Sequence, residues 1–259
     1  MLAKKKKEAG PGGVLMSFVG GVSTFIDKLA LASGVHIITN AKIRSLEKED
    51  SHYILHQDGA SHTFDKVVLA TPAYSSAKIL RTLDETLAEK LRDIEYSPIS
   101  VVGLGYNTMH HDLNGFGLLT TTSAKKEVLG VLWDSSIFSD RAPGGKKSLR
   151  VMIGGQRNPK LALKKDQELI NLALKGVKET MGVQDLPEVT YVKRWERGIP
   201  NYRVGHLDRM STLFERLKHH EGLYLSSNAY FGVGLNDCVA NSKKVATTLI
   251  KESACEKSV

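Results

Sequence analysis

Cysteine is nearly missing from this chain: there are two in 259 residues, Cys238 and Cys255. They form no CxxC or CxxH pair, which argues against a zinc site and fits a reducing compartment. No apolar run approaches the ~20 residues a membrane-spanning helix needs. The start, "MLAKKKKEAGPGG", is basic but runs into no apolar core and cleavage site, so no signal peptide is read. No internal repeat is found. Acidic residues are outnumbered 28 to 36 by basic ones, leaving a net charge of +8. That excess suits an anionic membrane face, nucleic acid or a carboxylate-bearing substrate, and equally a solvated surface with a basic leader. Nucleic acid fits least, and no nucleic-acid partner is expected. The lysines gather in the leader, and no helix offers a cationic face interleaved with aromatics. A dinucleotide fold needs GxGxxG between its first strand and first helix, with an acidic residue about 20 positions on. "SFVGGVSTF", residues 17–25, lacks it, so these residues build no pyrophosphate site by themselves.

What is present is ordinary globular composition, 41% apolar and 25% charged, in a length that suits one large domain or two small ones. Val22, Phe25, Ile26, Leu29 and Ala30 recur at helical spacing. "VHIITN", "KIRSLEKE", "HYILHQ" and "FDKVVLATP" read as a small meander. Its last strand, continuously apolar from Val67 to Ala70, is expected to be covered on both faces. Helical spacing returns over 74–94, and strands dominate 97–155. A helix over 165–182 precedes the strand "EVTYVKRWERGIP". The helix "DRMSTLFERLKHH", the strand "GLYLSSN" and a last helix close the chain. The fold class is α/β with mixed periods.

The stretch "YFGVGLNDCVANSKKVA", residues 230–246, is a glycine turn entering that last helix. Gly232 and Gly234 allow a ligand close to the main chain, and Asn236 or Asp237 can cap the helix. Val239, Ser242, Val245, Ala246, Leu249 and Ile250 form its expected buried stripe. A helix start offers free N–H groups and a positive end, which suits the electron-rich edge of a flavin ring. A GxG before a helix also serves as a plain structural turn. No acid–base residue stands out. His206 reads as a structural helix-start histidine, and His110-His111 and His219-His220 as loop and helix-end residues without metal-ligand context.

"SFVGGVSTFIDKLA", "VVLATPAYSSAKIL", "GFGLL", "WDSSIFSDRAPGG", "RVMIGGQRNP", "RWERGIPNYRVGHLDRM" and "NAYFGVGLNDCV" occur in this order. Together they resemble the C-terminal portion of the flavin-dependent protoporphyrinogen oxidases, within the amine oxidase-like flavoprotein superfamily. The match runs from about residue 14 to 250. The resemblance implies a partial FAD-binding domain over 14–95, a strand-rich substrate domain over 96–196, and a C-terminal FAD-binding segment over 197–259, after a basic leader at 1–13. It implies FAD-dependent, oxygen-consuming oxidation of protoporphyrinogen IX to protoporphyrin IX, or of coproporphyrinogen III. The family's upstream GxGxxG unit and helical membrane insert are not matched here. A truncated or split protein is therefore expected, with a separate N-terminal half as a partner, or else a noncatalytic remnant. Amine oxidases and carotenoid desaturases are further relatives, against which "DRAPGG" and "GVGLNDC" argue.

By the same resemblance Val233, Gly234 and Leu235 lie against the flavin, Trp195 borders it, and the Ile43 backbone touches the adenosine part. Leu119, Leu132 and Met152 match positions that line an apolar tetrapyrrole slot. Without the family, Trp195 and these three are core residues on strands, and Ile43 is a strand residue. The arginine that relatives use for a propionate lies upstream, and neither Arg157 nor Arg194 is given its role. The implied location is cytoplasmic, at the inner face of a membrane, with weak peripheral attachment at most.

Overall fold

The structure is a computed structural model that describes residues 15–256; the basic leader expected at 1–13 lies outside the described residues. In chain order the elements begin with α1 (Ser23–Ala32), β1 (Ile43–Glu49), β2 (His52–Gln57), β3 (Ala60–Phe64), β4 (Val67–Leu69), α2 (Ala73–Leu80) and α3 (Glu85–Arg92). Next come β5 (Tyr96–Tyr106), β6 (Gly117–Leu119), β7 (Val128–Leu132), α4 (Asp134–Ile137), β8 (Lys147–Gly154), α5 (Pro159–Ala162) and α6 (Asp166–Met181). The chain closes with β9 (Val189–Pro200), α7 (His206–Leu217), β10 (Leu223–Leu225) and α8 (Leu235–Glu256).

Two compact units result. Residues 15–37 join Ser97–Gly198 in a sheet unit, and Ile38–Tyr96 joins residues 199–256 in a mixed unit. Residues 15–37, expected with the stretch up to 95, group instead with the sheet. Arg141 holds them there through hydrogen bonds from Nη2 to Ser17 Oγ (2.8 Å) and to the Phe18 carbonyl (3.0 Å). Helix α1 forms as its spacing predicts, yet none of its residues is buried.

The sheet unit is built on five strands in the order β6-β7-β8-β5-β9. Alternation sends Val102, Leu104, Tyr106, Leu149, Val151 and Ile153 to one face, where all are buried. Helix α6 covers that face with Leu169, Ala173, Gly176 and Val177, at the spacing of one helical stripe. The approach is close: a Cβ placed on Gly176 would lie 2.4 Å from Val128 Cγ1. Glu168 accepts the Lys165 N–H at the helix start, and Gly182, at φ +72°, ends it. Between β7 and α4, Trp133 meets the His111 ring edge-on at 5.2 Å.

The mixed unit holds the meander β1-β2-β3 and a two-stranded parallel pair, β10 with β4. Leu46, Tyr53, Leu80, Leu87, Leu91 and Leu213 pack its core at full burial. Each contributes about 1.5–3 kcal/mol relative to exposure. Asp84 pins α3 to α7. Its Oδ1 accepts the Leu87 N–H at 3.0 Å; its Oδ2 accepts from Arg216 Nε and His220 Nε2, both at 2.7 Å. Burial raises the Asp84 carboxyl, but these hydrogen bonds outweigh it and hold the group at about 2.

Three expectations are corrected. "VHIITN", residues 35–40, forms no strand, and Val35, Ile37 and Ile38 are exposed. Propensity without a ladder partner does not make a strand. The meander ends in the exposed β3, not in the apolar run after it. That run pairs in parallel with residues 223–225, leaving Val67 and Leu69 buried but Val68 41% exposed. Along α8 the half-buried side runs through Cys238, Asn241, Val245 and Leu249, while Val239, Ser242, Ala246 and Ile250 are exposed. Apolar residues occupy two sides of this helix, and the described residues cover one of them.

Candidate functional site

Two surfaces carry the candidate residues, one in each unit. In the mixed unit, the turn at residues 231–235 enters the 22-residue helix α8. Gly232, at φ +132°, takes a conformation side chains rarely adopt, and a Cβ there would lie 2.5 Å from Asp237 Cβ. Its N–H donates to the Tyr202 hydroxyl at 2.6 Å, and that hydroxyl donates to the Asn228 carbonyl at 2.8 Å. Burial holds the Tyr202 phenol above its ordinary range. The Gly234 N–H is taken by Asp237 Oδ2 at 3.2 Å. Asp237 therefore caps from inside the first turn, reaching back, rather than from the position before the helix. The amides of Leu235 and Asn236 remain without intrahelical acceptors, as at any helix start. Val233 and Leu235 present side chains 52% and 41% exposed.

The turn is backed by a buried histidine. His206 Nε2 donates to the Tyr230 carbonyl at 2.8 Å, and its ring stacks on Tyr202 at 3.9 Å. This is the structural role expected of it at the start of α7. Ile43 opens β1, with its side chain packed on the core and a register shift before Ser45.

In the sheet unit, the candidate residues lie on the face turned away from α6. Register joins Leu119 to Gly130, Gly130 to Met152, and Met152 to Val101, so these positions share that face. Leu132 lies two residues beyond Gly130 and shares it too. The three slot residues thus come together on one surface: Leu119 is 74% exposed, Leu132 and Met152 half-buried.

Farther along the same face is an open cavity of about 730 Å³. Its floor is Val101, Gly103, Tyr191 and Trp195, with Leu15, Met16 and Phe138 at its wall. Leu119, Leu132 and Met152 lie outside it. Arg141, Arg150 and Lys193 bring three cations to the lining against one carboxylate, Asp134. Asp134 pairs in two-pronged fashion with Arg150, at 2.6 and 3.1 Å. Lys193 Nζ stands 5.8 Å from the Trp195 ring centroid, and no ion pair of Lys193 is found among the described residues. Sequence reading passed over Lys193. The available signal was its two-residue spacing from Trp195, which puts both on one side of β9. Arg194 turns to the other side and binds the Lys164 carbonyl and Asp166, both at 2.6 Å. Arg157 is engaged by Thr120.

Among the described residues no cluster of His, Cys, Asp and Glu is arranged to hold a metal, and His110 pairs with Asp185 at 2.6 Å.

The profile of the flavin containing amine oxidoreductase family matches residues 3–250. The chain is 29% identical over 254 residues to the chloroplastic protoporphyrinogen oxidase of Nicotiana tabacum, covering 91% of this chain and 46% of that protein. It is 30% identical over 237 residues to the coproporphyrinogen III oxidase of Propionibacterium freudenreichii subsp. freudenreichii, covering 89% and 44%. The crystal structure of a protein provisionally described as a protoporphyrinogen oxidase, from Exiguobacterium sp. 255-15, superposes with a TM-score of 0.84 at 26% identity, covering 94% of this chain and 54% of that one. The chain spans about half the length of the curated relatives it matches.

Proposed function

The chain belongs to the flavin-containing amine oxidoreductase family, and from that premise we propose that it serves the FAD-dependent oxidation of protoporphyrinogen IX to protoporphyrin IX in haem synthesis. The observation that carries the reading is the convergence of Leu119, Leu132 and Met152, from three strands, on the sheet face turned away from α6. A tetrapyrrole is a broad apolar ring and needs such a surface. Coproporphyrinogen III is the second reading, supported by the relative of that name.

The turn at 231–235 fits a flavin by its donor set. Unbonded amides at the positive end of α8 suit an electron-rich ring edge, and the exposed side chains of Val233 and Leu235 suit the apolar ring beside it. When bound, the flavin supplies an acceptor for hydride equivalents from the substrate. Leu235 and Asn236 would donate their amides, and Gly234 would let the ring approach the main chain. Val233 and Leu235 would exclude water, and Trp195 would present a flat apolar wall. Ile43 would meet the adenosine part through its backbone, its side chain being committed to the core. Leu119, Leu132 and Met152 would orient the substrate ring, placement mattering more here than a proton acceptor.

Because the chain matches about half of its relatives, the reading includes a GxGxxG-bearing half, on this polypeptide or a separate one, for the FAD pyrophosphate. It also carries a location at the cytoplasmic face of a membrane. Among the described residues no helix is long and apolar enough to cross one.

The test mixes the chain with FAD, protoporphyrinogen IX and a separately expressed GxGxxG-bearing half of a relative, in air. Porphyrin and peroxide are expected to form together, and only in the complete mixture. Porphyrin appearing no faster than in a blank without the chain ends the reading.

A further inference from the structure

The geometry points to Lys193 as a specificity-determining residue that anchors a peripheral carboxylate of the porphyrinogen ring. The inference rests on the reading above and adds to it which substrates are favoured: those with more carboxylates.

Three observations converge. First, the cavity beside Lys193 is floored by largely apolar sheet residues. Gly103 contributes no side chain, and a Cβ placed there would lie 3.7 Å from Tyr191 Cβ, so strand and ring stem meet without a step. Val101 and Trp195 also line the cavity. Val101 pairs with Met152 in register, so a substrate ring oriented by Leu119, Leu132 and Met152 can bring one edge to this floor and an acidic group to its rim.

Second, the rim is cationic in excess. Of its three cations, Arg150 is neutralised by Asp134, and Arg141 is spent on Ser17 and the Phe18 carbonyl. Lys193 has no such commitment among the described residues, and its one described neighbour of opposite character is the face of Trp195. An ammonium over an indole face is held in position while its three donors stay available.

Third, Lys193 and Trp195 share the side of β9 that faces this cavity, and Arg194 between them turns away to α6. One strand therefore supplies a flat wall and, two residues along, a cation at its edge. That matches the layout of a ring bearing acidic side chains.

The test measures binding of the oxidised porphyrins to the full chain through the shift of their main absorption band. The probes are coproporphyrin III, protoporphyrin IX and protoporphyrin dimethyl ester, which bear four, two and no free carboxylates. Wild type is expected to bind them in that order of affinity. Lys193→Gln should weaken both acids by about fivefold and leave the ester unchanged, as for a partly exposed ion pair. Lys193→Arg should restore the acids. Ester and acids binding alike, or acids bound equally by the glutamine variant, overturns the anchor and leaves the oxidase reading standing. Loss of FAD affinity in the glutamine variant, with porphyrin affinity intact, assigns Lys193 to the cofactor and also overturns it. If none of the three porphyrins binds, the anchor falls, and the oxidase reading is decided by the complete mixture.

Discussion

Helices α6 and α8 are the longest in their respective units, and they differ in what they cover. Helix α6 spends one apolar stripe on the sheet, and Leu169, Ala173, Gly176 and Val177 are buried. Helix α8 is longer, at 22 residues, yet its inward side reaches only half-burial, and Val239 and Ile250 stand 48% and 66% exposed. Both sequences are amphipathic enough to be read as helices. Among the described residues, α6 has the partner that turns amphipathicity into full burial and α8 does not, and packing rather than propensity supplies most helical stability.

Four measurements break or sharpen that contrast. The largest effect is expected for Leu169→Ala, which empties a fully buried position. It should cost about 2–5 kcal/mol by urea unfolding. Acid comes next and acts on the unit that holds α8. Asp84 is held at about 2 in the fold by Arg216, His220 and the Leu87 amide against the cost of burial, compared with 3.8 ordinarily. Its folded value lies below its unfolded one, so its stabilisation is complete above about pH 4 and fades as pH falls towards 2. The amount is about 2 kcal/mol. Unfolding scans of Asp84→Asn across that window should lose this pH dependence, and a variant with an unaltered acid limb refutes the assignment.

A smaller change is expected for Asp237→Ala, which removes the acceptor of the Gly234 N–H at the start of α8. The cost should be about 0.5–1 kcal/mol, with hydrogen exchange speeding up in the first turn and not at Val245 or Leu249. The smallest is Ile250→Ala, within about 0.5 kcal/mol of wild type. A loss as large as that of Leu169→Ala would mean α8 is covered in solution, and the contrast between the helices would vanish.

The elements easiest to read were those decided locally. "HYILHQ" alternates and is β2 over residues 52–57 as expected, and the helix predicted over 165–182 is observed over 166–181. Failures came where a distant partner decides. β4 pairs with residues 223–225, more than 150 positions away, and no local pattern announces a parallel partner. The strand β3, "ASHTF", is exposed at every position and is held by the turn and the register of β2. On α8 the inward side keeps Val245 and Leu249 of the expected stripe and takes Cys238 and Asn241 in place of Val239 and Ser242, because apolar residues border both sides. The candidate site divides in the same manner. Alternation alone puts Leu132 on the face of Gly130, but joining it to Met152 and Leu119 takes the register of three strands. Lys193 is legible from its two-residue spacing to Trp195, but the cavity that makes it count needs the register of β5 and β9.

Trp133 and Trp195 are the chain's only tryptophans, and both fall in the sheet unit. Their emission under selective excitation is thus a private signal of that unit, while the mixed unit contributes tyrosine alone. If emission and far-ultraviolet ellipticity give separate midpoints in one denaturation series, the two units melt independently, and the optical record itself says which goes first.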